Sequence, residues 1–210
     1  MAACLLALAS SGVAPAASAA PPASAVARRV PDLSAAERRA LLRGEIVSRP
    51  MRFSRGGASF VGGLSYAVVK ATPREVLDAL SSAETLPEAL PRTVSARLVQ
   101  QRGDVRTIEL VQGRGAFTAR YSIALEAEPG GDTLRFSLDR SRPHDIADVS
   151  GFFRARSLGG GKTLVTVAAA IDLGPGISRF FLEDRLERTI LGAPHHIRQF
   201  VEPRALAASR

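Results

Sequence analysis

From Phe117 to Leu125 every second residue is apolar. Phe117, Ala119, Tyr121, Ile123 and Leu125 share one face; Thr118, Arg120, Ser122 and Glu126 share the other. A period of two is the signature of a strand with one dry face and one wet face. The same alternation recurs in Leu134, Phe136 and Leu138, and in Val165, Val167, Ala169 and Ile171. Ile108 and Leu110 share a face in an earlier run. Strands are expected near 59–70, 94–101, 106–112, 116–126, 134–138, 147–158 and 164–173. Most connections are short and rich in turn residues: Arg102-Gly103-Asp104, Gly113-Arg114-Gly115, Pro129-Gly130-Gly131-Asp132 and Gly159-Gly160-Gly161. Short connections of this kind imply an antiparallel meander. From Ile177 to Leu206 the period becomes helical, with Leu182, Leu186, Ile190, Ala193, Ile197 and Phe200/Val201 spaced by three and four. That stripe has to be buried, and the concave face of the sheet is its natural partner.

The front of the chain carries two helix starts. Thr72 can cap a helix that begins with Pro73, and Glu75 completes a capping box, so a helix is expected over 73–81 after the first strand. A second short helix near 84–90 is bracketed by Pro87 and Pro91. Ser34-Ala35-Ala36-Glu37 is another capping box, opening a short helix that Gly44 stops. Glu45–Phe53 reads as extended, with Pro50 favouring an edge or irregular piece. Residues 32–58 are therefore expected to be an accessory segment laid against a main domain at 59–206. Residues 20–31 read as a linker. Residues 1–19 resemble a secretory leader: Cys4–Ala9 is an apolar run and Ala17-Ser18-Ala19 fits an A-x-A cleavage pattern, without the usual basic n-region. The leader implies a periplasmic or secreted protein; without it the expectation is cytoplasmic.

Composition adds exclusions. Cys4 is the sole cysteine, so no intramolecular disulfide framework is possible. No apolar run approaches the roughly 18 residues of a membrane-spanning helix. The net charge is +8, and all but two of the 28 basic residues are Arg, the exceptions being Lys70 and Lys162. The basic residues form no dense block with interleaved aromatics, which argues against a nucleic-acid face. Contact with an anionic membrane surface is compatible with the charge. Gly161-Lys162-Thr163 mimics the end of a phosphate loop, but Arg156 stands where that loop needs glycine. Arg102-Gly103-Asp104 is read as a hairpin turn. Of the three histidines, His195 and His196 would point about 100° apart on a helix, so no metal site is expected. His144-Asp145, with Arg140 and Arg142 nearby, stands in a polar stretch between strands. It is read as a solvated loop, with acid–base or anion-binding work as the alternative. Pro194 falls inside the helical pattern and should kink it, as a static bend or as a hinge.

The order of elements over residues 59–206 resembles the START/polyketide cyclase-like superfamily, also called SRPBCC, closest to its polyketide cyclase and coenzyme-Q-binding branch; residues 1–58 lie outside the pattern. The resemblance rests on Val68–Leu77, on Leu86–Pro91 leading into Val94–Val99, on Gly151–Arg156 with Thr163–Val167, and on Ile197–Val201. It implies an α+β helix-grip fold: a curved antiparallel sheet of about seven strands wrapped around a long C-terminal helix, with two short helices after the first strand. It also implies a cavity between sheet and helix for an apolar molecule such as a lipid, quinone or polyketide. The expected lining is Phe117, Tyr121, Phe136, Phe153, Leu186, Ile190 and Ile197, with the Tyr121 hydroxyl placed to orient a polar end. Ala119, Gly151, Ala155 and Ala169 are small inward residues that either leave space or permit tight packing. Binding without catalysis is the first expectation, with no catalytic residue, cofactor or metal assigned. An aromatase/cyclase and a protein-interaction module with a vestigial cavity are the alternatives.

Overall fold

The computed structural model describes residues 33–115, 117–174 and 179–208. The leader and linker expected at residues 1–31 lie outside these. The strands are β1 (Val47–Arg55), β2 (Ala58–Val69), β3 (Thr93–Arg102), β4 (Val105–Arg114), β5 (Phe117–Ala127), β6 (Thr133–Leu138), β7 (Asp148–Gly159) and β8 (Lys162–Asp172). The helices are α1 (Ala35–Leu42), α2 (Pro73–Ser81), α3 (Leu86–Ala89), α4 (Arg179–Leu191) and α5 (Ala193–Ala208). All strands join one antiparallel sheet in the order β1-β2-β8-β7-β6-β5-β4-β3. This is the expected α+β helix-grip architecture, with one more strand. The extra strand is β1, from the segment read as accessory: Val47–Arg55 pairs in register with Tyr66–Ala58. Pro50 is tolerated because β1 is an edge strand.

The sheet buries its inner face along most of its length and its outer face beneath α1. The inner face carries Ile108, Leu110, Tyr121, Ile123, Phe136, Phe153, Val167 and Ile171, in one core with α2, α3, α4 and α5. On the outer face, α1 buries Leu41 over Leu64, Tyr66, Phe152 and Ala168. Glu37 has two jobs in α1. It closes the capping box with Ser34, and it takes a bidentate pair from Arg49 of β1 at 2.9 and 2.7 Å. At α2, Thr72 and Glu75 form the expected capping box. Thr163 then locks the end of β2, donating to the Ala71 carbonyl at 2.6 Å.

Gly151 separates the two readings of the small inward residues. A Cβ there would lie 2.5 Å from Phe136 Cζ and 2.0 Å from the Ala168 carbonyl oxygen. The space is filled by an aromatic ring, so this glycine permits tight packing. Ala155 is likewise buried in the core.

The closing helical segment is two helices. Gly192 interrupts it, and Pro194 is the second residue of α5. The expected kink inside a continuous helix is therefore not what Pro194 makes. In a first turn its missing N–H has no intrahelical partner to lose. The Gly192 N–H still donates to Arg188 O at 3.0 Å, and His195 N–H to Gly192 O at 3.1 Å. The proline inside a helix is Pro203, near the end of α5.

Two outcomes follow from this packing. Gly151→Ala should cost about 1–3 kcal/mol, the range for overpacked cores, read by denaturant unfolding. The Glu37 carboxyl is held at about 2, first by Arg49 and then by Ser34. Its folded pKa is lowered, so its contribution is present above the ordinary carboxyl pKa of 4.5 and fades as pH falls toward 2. Amide protection in α1, taken relative to the intrinsic exchange rate at each pH, should fall over that window in the native protein and be flat in Glu37→Gln.

Candidate functional site

A cavity lies between the inner face of the sheet and the underside of α4. Tyr121, Phe136, Phe153, Leu186 and Ile190 all line it, together with Leu110, Ile123, Val149, Val167, Ala169 and Ile171. Five of the seven expected residues thus meet around one space. Ile197 does not reach it: the lining on α5 stops at Ala193, one turn earlier, and Ile197 is fully buried in the core. The side chain of Phe117 lies outside the described residues. Alternation brought Tyr121, Phe136 and Phe153 to this face because β4 to β8 keep period-two pairing across it.

The free space in it is about 90 Å³. Ligand pockets that hold drug-sized molecules span roughly 300–1,000 Å³. A lipid-sized molecule therefore needs α4 or the cavity end to move outward. α4 is fastened on one flank by electrostatics. Arg52 of β1 reaches Glu187 at 2.8 Å, Asp184 at 2.5 Å and Glu183 at 3.8 Å, with its own side chain 47% exposed.

No formally charged side chain lines the cavity among the described residues. Its polar groups are Gln112, Tyr121 and Thr189. The Thr189 hydroxyl is spent on the Arg185 carbonyl, 2.8 Å away in its own helix. Tyr121 donates to Gln112 Oε1, and Gln112 Nε2 donates to Thr93 Oγ1 at 2.8 Å. Burial pushes the Tyr121 phenol well above its ordinary range, so it stays a neutral donor. The Tyr121 oxygen keeps acceptor capacity and Gln112 keeps a second N–H. This pair can meet one hydroxyl or carbonyl. Gln112 was missed in the sequence, although it continues the inward face of Ile108 and Leu110 by one more alternation. A polar residue ending a dry face was the available signal.

The His144-Asp145 stretch is structural. His144 Nδ1 donates to the Ile146 carbonyl at 2.8 Å. Asp145 accepts from the Arg120 backbone at 2.8 Å and returns a backbone bond to Arg120 at 2.9 Å. The loop thereby covers the part of β5 that extends beyond β6. Arg140 pairs with Asp148, and Arg142 with Asp139 and Gln100. His195 and His196 stand 5.9 Å apart, ring centre to ring centre, and among the described residues no cluster suits a metal ion.

Solved structures share this architecture. The chain has the helix-grip fold of START and polyketide cyclase-like proteins. It matches the ZhuI aromatase/cyclase from Streptomyces sp. R1128 with a TM-score of 0.58 and 11% identity, over 78% of this chain and 97% of that one. A STAR-related lipid transfer protein from Xanthomonas axonopodis matches with a TM-score of 0.56 and 14% identity, over 73% and 98%. A START superfamily protein from Mycobacterium smegmatis matches with a TM-score of 0.54 and 14% identity, over 78% and 98%. At these identities the likeness concerns the helix-grip fold itself. No family model and no curated protein matches the sequence.

Removing the α4 fastening should loosen the cavity roof. Arg52→Ala is expected to speed amide exchange in α4 by about 1.5- to 5-fold, the size of an exposed ion pair. High salt should mimic the substitution in the native protein. Unchanged exchange would mean that packing alone holds α4.

Proposed function

We propose that this helix-grip domain binds a small molecule whose buried part is uncharged and largely apolar, and so transports or sequesters it. The observation that carries this reading is the charge-free apolar cavity with a single polar pair, Tyr121–Gln112, at one end. Apolar burial supplies the affinity, at about 25 cal/mol per Å² before the costs of association. The pair supplies orientation.

Cyclase chemistry is the competing reading, and the structural neighbours include an aromatase/cyclase. Ring closure of a polyketide needs groups that give and take protons near neutral pH. Tyr121 is the sole titratable side chain on the lining among the described residues, and burial moves it away from neutrality. That favours binding over catalysis.

The test has two parts. Native mass spectrometry of protein from its own host, followed by solvent extraction, should release an apolar species in near-stoichiometric amount. The uncharged probe N-phenyl-1-naphthylamine should bind the purified protein. Ala169→Leu, which fills part of the free space, should weaken that binding about tenfold or more while leaving the circular dichroism spectrum intact. Unchanged probe binding in the folded variant would place the probe elsewhere and overturn the site.

A further inference from the structure

A second cleft, of about 360 Å³, lies on the outside of the molecule between α3 and α5. It is lined by Arg92, His196, Gln199 and Arg204, with Glu88 at one side. Its inner wall is Leu90-Pro91, and those two residues also line the apolar cavity. Only one thickness of chain separates the two spaces.

The polar end of the cavity faces that same partition. Gln112 is the register partner of Thr93 across β3 and β4 and donates to its hydroxyl. Thr93 follows Arg92 directly. Polar groups therefore run from Tyr121 through Gln112 and Thr93 to Arg92 and the outer cleft.

Arg92 itself is unusual in two ways. It is the one non-glycine residue with positive φ among the described residues, at 56°. A bulky residue in the left-handed region is disfavoured, and such outliers concentrate at binding sites and switches. The Gly113 N–H holds the distorted turn, donating to the Arg92 carbonyl at 2.8 Å. The Arg92 side chain is exposed and has no ion-pair partner among the described residues. Arg204 is pre-set: it stacks 3.6 Å from the Phe200 ring centre and pairs with Glu88 at 3.0 Å. Glu88 offsets one of the two guanidinium charges, so Arg92 leaves the cleft with a net positive charge.

We infer that the outer cleft is a headgroup site. It takes the anionic group, a phosphate or carboxylate, of an amphiphile whose apolar body lies in the inner cavity. Leu90-Pro91 is the threshold that the molecule crosses. The anion meets Arg92 and Arg204, with amide donors from Gln199. The body meets the uncharged lining, and its first polar atom meets Tyr121 and Gln112. This rests on the cavity reading above and names the class of ligand: an amphiphile with a charged end kept outside.

The experiment compares three probes on the full chain by calorimetry: n-octanol, n-octyl phosphate and inorganic phosphate. Octyl phosphate should bind at least tenfold more tightly than octanol. Arg92→Asn removes the charge with a residue that tolerates positive φ. It should bring octyl phosphate down to the octanol level and leave octanol unchanged. Arg204→Gln should act in the same direction. Equal binding of octanol and octyl phosphate by the native protein overturns the headgroup site and leaves the cavity standing. Failure of both alcohol and ester to bind sinks the cavity reading instead. Inorganic phosphate binding as tightly as the ester would make the cleft a free-anion site and overturn the amphiphile. A tenfold preference that survives Arg92→Asn also overturns the assignment.

Discussion

Everything in this molecule depends on covering the inner face of one open sheet. Eight strands laid flat would be about 34 Å wide, and a helix with its side chains is about 10 Å across. Among the described residues, α4 and α5, with the short α2 and α3, keep that face from water. Curling the sheet brings its two ends toward the helices. Gly62 and Gly151 stand where neighbouring backbones press together: an added Cβ would meet a carbonyl oxygen at 1.9 and 2.0 Å. α4 and α5 lie mainly against β2, so the strands farther along the sheet are covered less closely. The cavity is the gap left by that mismatch.

Electrostatics trims the arrangement instead of creating it. Arg52 fastens α4 to the β1 edge, and Arg49 fastens α1 to the same strand from the opposite face. The Arg52 contacts are on a half-exposed side chain and individually weak, whereas the Arg49–Glu37 pair is bidentate and part-buried. They matter by position, because each holds a helix whose apolar face alone would leave its angle poorly fixed. The cavity itself carries no charge, which leaves the positive residues to the rim and the outside.

Much of the fold could be read from alternation because each strand from β4 to β8 presents a dry face to the core. The strand from Phe117 to Ala127 is the clearest case, and it delivered Tyr121 to the cavity. Pattern was less informative where two signals conflict. Residues 47–55 contain Pro50 and several arginines, so they looked like an accessory piece. They form a full edge strand because an edge tolerates a missing N–H and arginines can pair with helix carboxylates. The stripe from Leu186 to Val201 kept helical spacing across Gly192, so periodicity alone did not show the break. Pro194 was legible as a disturbance, but its effect depended on whether it opened a helix or interrupted one. Arg92 had no signal in the sequence, since a positive φ in a non-glycine residue is imposed by the surrounding chain.

The outer cluster beneath α1 has a consequence for how firmly the strands are held. Around Leu64, Tyr66, Phe152 and Ala168, strands β2, β7 and β8 are packed on both sides. β3, at the opposite edge, carries exposed Val94 and Leu98. The sheet is thus packed on both faces near α1, whereas at β3 the outward residues Ser95 and Arg97 are exposed. Packing on two faces therefore fixes β2, β7 and β8 more firmly than β3 at the opposite edge of the sheet.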